Sequence, residues 1–360
     1  MIELITTVET IEQAEQLLAA GADTLYFGEE QFGLRLPASF TREEQRQLVE
    51  LAHKYGKKAN IAVNGIIHPE KMKNVPEYLA FLKEINVDVI TVGDTGIIYT
   101  MKKNPELRIP YIYDAETLVT SARQINFWAK KGAVGAVLAR EVPFEEMKAM
   151  EEKLDIPVET LVYGATCIHQ SKRPLLQNYY NYTKQDEQKD RERGLFISEP
   201  KKEETHYSIY EDSHGTHIFA SNDLNLSNEL NELYQHHYCT WKLDGLFTPG
   251  EKFVNITRLF AEAKKQILEG SWDQEKAEKM TSEISKLHPE NRELDTGFFI
   301  LILLLSNKEY DERNDSKKKI ETTRNPSASR NTGKVKNRDP LWSRCSIYWR
   351  ECIWFKKPCR

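Results

Sequence analysis

Glu159-Thr-Leu-Val-Tyr-Gly-Ala-Thr-Cys167-Ile-His169 is the stretch that decides the fold. Residues 158–163 read as a β-strand, rich in β-branched and aromatic side chains. The strand runs into a glycine turn that presents a thiol and an imidazole. An α/β barrel carries its chemistry on such loops, at the carboxyl ends of parallel strands. Upstream, short apolar runs at Glu3–Thr7, Thr24–Phe27, Lys58–Val63, Val89–Val92, Tyr111–Tyr113 and 136–139 predict six more strands. Amphipathic stretches at 10–20, 42–55, 75–85, 117–131 and 144–154 lie between them, the alternation of parallel β/α units. Thr41 with Glu44 three residues on predicts a capping box. Gly21, Gly56, Gly132 and Gly135 stand where helices are expected to stop.

Seven such units predict a (β/α)8 barrel of the TIM type whose eighth strand follows an insertion. Residues 241–246, with Leu243-Asp-Gly-Leu246, are the candidate for that strand. A doubly wound sheet is the alternative, but no Gly-x-Gly-x-x-Gly turn supports it. Residues 1–182 are assigned to the barrel units and 183–216 to a charged insertion or lid. Residues 217–298 are assigned to barrel closure and C-terminal helices, the helices at 254–270 and 273–287.

Length and composition set the class. The chain has 360 residues, 40% hydrophobic and 29% charged, as expected of one large globular domain with an appendage. The longest apolar run, 298–305, is far too short to span a membrane. The N-terminus enters a strand with no basic-then-apolar leader, and five cysteines form no regular framework. A cytoplasmic protein with no membrane partner is the expectation. The net charge of −5 hides an asymmetry: residues 300–360 hold 15 Lys+Arg against 7 Asp+Glu, so the remainder is −13.

The opening stretch also resembles a known signature. Glu-x-apolar-x-x-Gly-Ala-x-Cys, with Gly21-Ala-Asp-Thr-Leu-Tyr-Phe-Gly28, Phe32-Gly-Leu-Arg35 and Val137-Leu-Ala-Arg-Glu141, resembles the U32 "peptidase" family across residues 1–299. The resemblance implies a barrel. It also implies a role in oxygen-independent hydroxylation of RNA bases, in particular tRNA wobble uridine, by chemistry that draws on prephenate, with a paralogous U32 chain as heterodimer partner. A collagenase-like peptidase is the second reading and a non-catalytic scaffold subunit the third. In the family the Cys167 position matches a ligand of an iron–sulfur cluster, which needs four thiolates. The family's second cysteine falls at Pro174, and the glycine before it at Lys172. A full 4Fe-4S cluster in this chain alone is therefore not expected, and the cofactor is open; Cys167 and Cys239 remain as partial ligands.

Cys167 is read either as a small buried thiol or as a functional group at a strand end. With His169 it forms a candidate dyad. Arg140-Glu141 form either a rim ion pair or an anion site. Asn64, Asp94 and Asp114 follow strands, where side chains point into a barrel mouth. Arg35 is a candidate anion contact. Lys172, Arg173, Tyr179 and Tyr180 combine cations with aromatic rings, which suits phosphate contact and base stacking on tRNA. His214-Gly-Thr-His217 and His236-His237-Tyr-Cys239 carry metal-ligand residue types without the His-Glu-x-x-His spacing, and exposed or capping histidines are expected there.

From residue 299 the periodicity vanishes. Three of six Trp and three of five Cys fall in the last nineteen residues. Shifting the reading frame by one, with allowed codons, converts 323–360 into a chain containing GADAVFIGGSAFGLR, which parallels Ala20-Gly-Ala-Asp and Phe32-Gly-Leu-Arg35. The expectation is an out-of-frame, disordered tail at 299–360, run on from this gene into an adjacent U32 paralogue.

Overall fold

The computed structural model describes residues 1–114, 119–185, 187–200 and 202–300, with the backbone alone at 202–204 and 354–355. Strands β1 (Glu3–Thr7), β2 (Thr24–Phe27), β3 (Lys58–Val63), β4 (Val89–Val92), β5 (Tyr111–Tyr113), β6 (Ala133–Val137) and β7 (Val158–Gly164) pair in chain order, all parallel. Helices α1 (Ile11–Ala20), α2 (Arg42–Lys54), α3 (Pro69–Met72), α4 (Val75–Glu84), α5 (Thr95–Lys103), α6 (Ala122–Ala129) and α7 (Phe144–Met150) connect them. The capping box at Thr41 is formed as expected, and Gly21 ends α1 in the left-handed region.

Several boundaries differ from the sequence reading: α7 ends at Met150, the closing barrel strand spans Thr240–Leu243, and the last long helices start at Gly250 and Gln274. Strand β6 begins at Ala133, directly after Gly132, so Gly135 lies inside it rather than at a helix end. Helix α6 begins at Ala122, capped by the Ser121 hydroxyl on the Gln124 amide. The start of the expected 117–131 helix lies partly outside the described residues.

After β7 the chain leaves the barrel. Strands β8 (Cys167–Ser171), β9 (Phe196–Glu199), β10 (Lys202–Asp212) and β11 (Gly215–Phe219), with helix α8 (Leu175–Thr183), build a second, antiparallel sheet in the order β9-β10-β11-β8. It has a small core of its own: Leu176, Tyr180, Ile197, Ile209 and Ile218. The inserted sheet thus starts at Cys167 and ends at Phe219, wider than the charged stretch that composition picked out. Charge marks only the solvated edges of a β-insertion; its apolar strands read like any others.

Strand β12 (Asn222–Asn225) then lies antiparallel on β7, and helix α9 (Leu230–Gln235) leads into β13 (Thr240–Leu243). Strand β13 pairs in parallel with both β7 and β1, which closes an eight-stranded barrel. Helix α10 (Gly250–Leu268) completes the outer ring beside α1, and α11 (Gln274–Leu287) packs on α10. Strand β14 (Glu293–Asp295) adds to β12, and a dipeptide strand β15 (Trp354–Phe355) adds to the β9 edge. The rest of the 299–360 tail beyond Ile300 lies outside the described residues.

A register shift on β7, where Leu161 and Tyr163 face successive residues of β13, re-aims Tyr163 away from the barrel axis. Its hydroxyl meets His288 Nδ1 at 2.7 Å and Thr248 Oγ1 at 2.9 Å. Arg292 forks onto Asp223, at 2.8 and 2.6 Å, and all four side chains His288, Asp223, Arg292 and Tyr163 are buried. This network ties the C-terminal extension to the strand that carries the motif.

Candidate active site at the barrel mouth

Alternation along the strands decides what faces the axis. On β13 the inward positions are Thr240 and Lys242, with Asp244 next; on β7 they are Glu159 and Leu161. Lys242, Asp244, Glu159 and Leu161 meet Tyr26 of β2, Asn64 after β3 and Asp114 after β5 around one cavity at the carboxyl end of the barrel, while Thr240 faces the floor. Arg35, Arg140, Glu141, Cys167, Thr7 and Thr166 add to the polar part of its lining. The cavity has room for about 60 Å³.

The motif glycine has a geometric reason. Gly164 sits at φ +122°, and a Cβ there would lie 2.3 Å from the Asp244 carbonyl oxygen. Only glycine lets β7 pass this close to the closing strand and turn Ala165-Thr166-Cys167 over the mouth. The Ala165 carbonyl in turn accepts Arg140 Nη1 at 2.8 Å. Asn64 accepts the Leu34 amide at 2.9 Å and donates to Asp114 Oδ2 at 2.9 Å, fixing the loop that presents Arg35. Arg35 itself holds φ +52°, uncommon for a residue with a side chain. Its Nη1 donates to Gln170 on β8 at 3.0 Å, across to the inserted sheet.

At the base of the cavity Lys242 Nζ stands 3.1 Å from Glu159 Oε1 and 3.4 Å from the centre of the Tyr26 ring. Glu159 is 2% exposed. Burial pushes its carboxyl above the ordinary range, against the pull of Lys242. Burial does the same to Asp244, against Arg140 and Lys242. Two carboxyls that favour a proton beside three cations make a site able to hold an anionic group and to give or take protons.

The expected site residues separate into those at the mouth and those elsewhere. Arg35, Asn64, Asp114, Arg140, Glu141 and Cys167 converge on the cavity. Asp94 caps α5 instead: its carboxylate accepts the Ile67 amide at 2.8 Å and the Gly96 amide at 2.6 Å. Cys167 Sγ donates to the His169 backbone carbonyl at 3.4 Å, and burial lowers the basicity of the His169 ring. Lys172 and Arg173 are exposed on the insertion, Lys172 donating to the Ser213 carbonyl at 2.7 Å. Tyr180 is buried in the insertion's core with Tyr179 packed against it, so neither presents an open ring face of the kind Tyr182 does at 87% exposure.

Of the histidine pairs, His214 and His217 differ from expectation, whereas His237 is exposed as expected. His214 and His217 are buried, bonded to the Glu30 carbonyl and to Asp212. His236 and His237 both meet the Glu151 carboxylate. Among the described residues no group of three or more His, Cys, Asp and Glu has metal-binding geometry.

Sequence reasoning missed Tyr26, Glu159, Lys242 and Asp244. The available signal was a charged residue inside an otherwise apolar strand: Lys242 between Trp241 and Leu243, and Glu159 within a strand buried throughout.

A four-iron cluster does not fit the described residues. Cys239 directly precedes β13 at the floor of the barrel, where its carbonyl accepts the Glu3 amide at 2.8 Å. Cys167 lies at the opposite end, one barrel strand away, roughly 13 Å at ~3.3 Å per residue. One thiol at each end cannot share a cluster.

A closed parallel barrel with a polar mouth, roofed by a sheet inserted after its seventh strand, defines the class: a TIM-barrel protein with an enzyme-like site at the carboxyl ends of its strands. The profile of peptidase family U32 matches residues 9–302, and the chain belongs to that family. It is 36% identical over 302 residues to tRNA hydroxylation protein P2 of Bacillus subtilis, covering 82% of this chain and 97% of that one. It is 34% identical over 181 residues to tRNA hydroxylation protein P1 of the same organism, covering 49% of this chain and 42% of that one. A protein of Methanocaldococcus jannaschii named as an uncharacterized protease is 28% identical over 341 residues, 90% of this chain and 80% of that one. No helix among the described residues is long and apolar enough to cross a membrane.

Proposed function

We propose that this chain is a subunit of a tRNA wobble-uridine (U34) 5-hydroxylation system and works with a paralogous U32 chain. The observation that carries the reading is the match to tRNA hydroxylation protein P2 over nearly that protein's whole length. Pairing is supported by the similarity of this one chain to two proteins of one organism, P1 and P2. The mouth chemistry suits the reading. Arg35, Arg140 and Lys242 can hold an anionic co-reactant, the class to which prephenate belongs, and Glu159 and Asp244 can exchange protons. The body's net charge of −13 lacks the broad basic field that drives RNA binding, so the partner supplies much of the tRNA affinity. Lys172 and Arg173, exposed on the inserted sheet, are this chain's own phosphate contacts, and the protein works in the cytoplasm.

The peptidase reading finds less support. The Cys167 thiol is directed at a backbone carbonyl rather than at the His169 ring. The test is nucleoside analysis of tRNA from a strain deleted for this gene. The 5-hydroxylated wobble uridine is expected to disappear and to return with a plasmid copy, but not with one carrying Arg140→Ala. Unchanged hydroxyuridine in a strain with no second hydroxylation system would reject the assignment.

A further inference from the structure

A TIM barrel's interior is normally a packed core rather than a pore. Here it is interrupted. Below the mouth, at the amino ends of the strands, a chamber of about 410 Å³ is lined by Glu3, Thr24, Lys58, Asn60, Gly135 and Thr240, among others. It exists in part because Gly135 contributes no side chain to the interior layer between Ile112 and Glu159. One residue lines both this floor chamber and the mouth cavity: Glu159.

Two further facts bear on that position. Apart from Lys242 Nζ at 3.1 Å, neither Glu159 oxygen has a hydrogen-bond partner among the described residues. Asn60, fully buried on the floor side, accepts from Thr91 Oγ1 at 2.9 Å, but its Nδ2 has no acceptor among them. Buried polar atoms of this kind are met by water where a polar chamber has room for it. We propose that Glu159 is the relay of a proton path along the barrel axis, taking protons from the floor chamber and passing them to the mouth.

The transfer balances. The carboxylate, held by Lys242, takes a proton from a floor-chamber water: one water O–H bond breaks, the carboxyl O–H forms, and the hydroxide left behind is reprotonated from bulk solvent through the chamber. The acid then gives that proton to a basic group at the mouth, its O–H bond breaking as the acceptor's forms, and returns to the carboxylate. The charged and titratable groups facing it are Lys242 on β13, Asp114 after β5, Glu3 on β1, Lys58 on β3 and Tyr26 on β2. Burial favours the neutral form and Lys242 favours the carboxylate, so the position holds opposing pulls on one proton. The functional logic rests on the proposed hydroxylation reading: a bound tRNA covers the mouth, and protons must then reach the site from behind.

The path itself is testable without that reading. Infrared spectra of the full 360-residue chain, titrated in water and transferred to D₂O, report the protonated carboxyl directly. A titrating carboxyl band is expected in the wild type, absent in Glu159→Gln, and deuterated within the mixing time. Gly135→Val fills the floor and is expected to slow that deuteration by about tenfold or more, since exchange then waits on rarer opening. Gly135→Ala, whose Cβ meets Ile112 and Pro157 at an ordinary 3.4 Å, leaves it fast. Thr240→Leu is the alternative plug should Gly135→Val fail to fold. No band lost in Glu159→Gln, or equally fast exchange in the plugged variants, overturns the path. In the deletion strain, a Glu159→Gln copy is expected to leave wobble uridine unhydroxylated. Normal hydroxylation by that copy would overturn the relay's catalytic use, whereas an unaffected deletion strain would instead reject the hydroxylation reading.

Discussion

Single residues at the mouth carry costs that only their surroundings explain. Gly164→Ala places a Cβ 2.3 Å from a carbonyl oxygen at a backbone angle that side chains avoid. A loss of roughly 2–3 kcal/mol is expected, read from the urea midpoint, with the turn to Cys167 displaced. Glu229 makes the opposite case. Burial pushes its carboxyl up to about 7, and its Oε2 has no hydrogen-bond partner among the described residues. Its folded value lies above its unfolded one, so the native state prefers the protonated acid. Stability is therefore lost as pH rises from the ordinary carboxylate range through 7. Glu229→Gln removes that loss: no change is expected at pH 4 and a gain of about 2 kcal/mol at pH 8, measured by urea unfolding at both.

At the scale of elements, the inserted sheet is latched to the loop after β2. Arg191 donates to the Leu36 and Pro37 carbonyls at 3.2 and 2.7 Å, His214 Nε2 donates to the Glu30 carbonyl at 2.5 Å, and Arg35 reaches Gln170. The insertion has a separate small core, so it can shift without disturbing the barrel. Arg191→Ala is expected to raise hydrogen exchange in residues 28–40 and in β8–β11 while β1 to β5 keep their protection. Equal loosening of the barrel strands would show that roof and barrel form one cooperative unit.

At the scale of the whole molecule, the barrel closes through β13 and the extension is locked by Arg292 on Asp223, all before residue 300. We propose that residues 299–360 are translated out of frame, although Phe299 itself still packs on Phe144 rather than being disordered. A chain truncated after Ile300 is expected to melt within about 2 °C of the full chain, because among the described residues it forgoes only the two-residue pairing of β15 with an insertion edge. A larger drop would show a tail integrated with the body, and the nucleotide sequence around codon 298 provides the independent check.

The sequence by itself determined the barrel. Strands β1 to β5 fall at the residues their apolar runs predicted, because a strand buried on both faces is a local pattern of β-branched residues. It also determined where the mouth would lie, and six of its polar residues, because a residue that follows a parallel strand must face that end. Only the tertiary structure decided the rest. Whether Asp94 caps a helix or lines a mouth depends on which amides lie within reach, and Ile67 is 27 residues away. The pairing of Glu159 with Lys242 joins residues far apart in the chain through the register of the closing strand. Tyr180 is a core residue because β9, β10 and β11 fold over it. Cys239 stands apart from Cys167 because β13 runs parallel to β7, so its first residue lies at the floor. Contacts of that kind are set by closure of the sheet, which no local window of sequence contains.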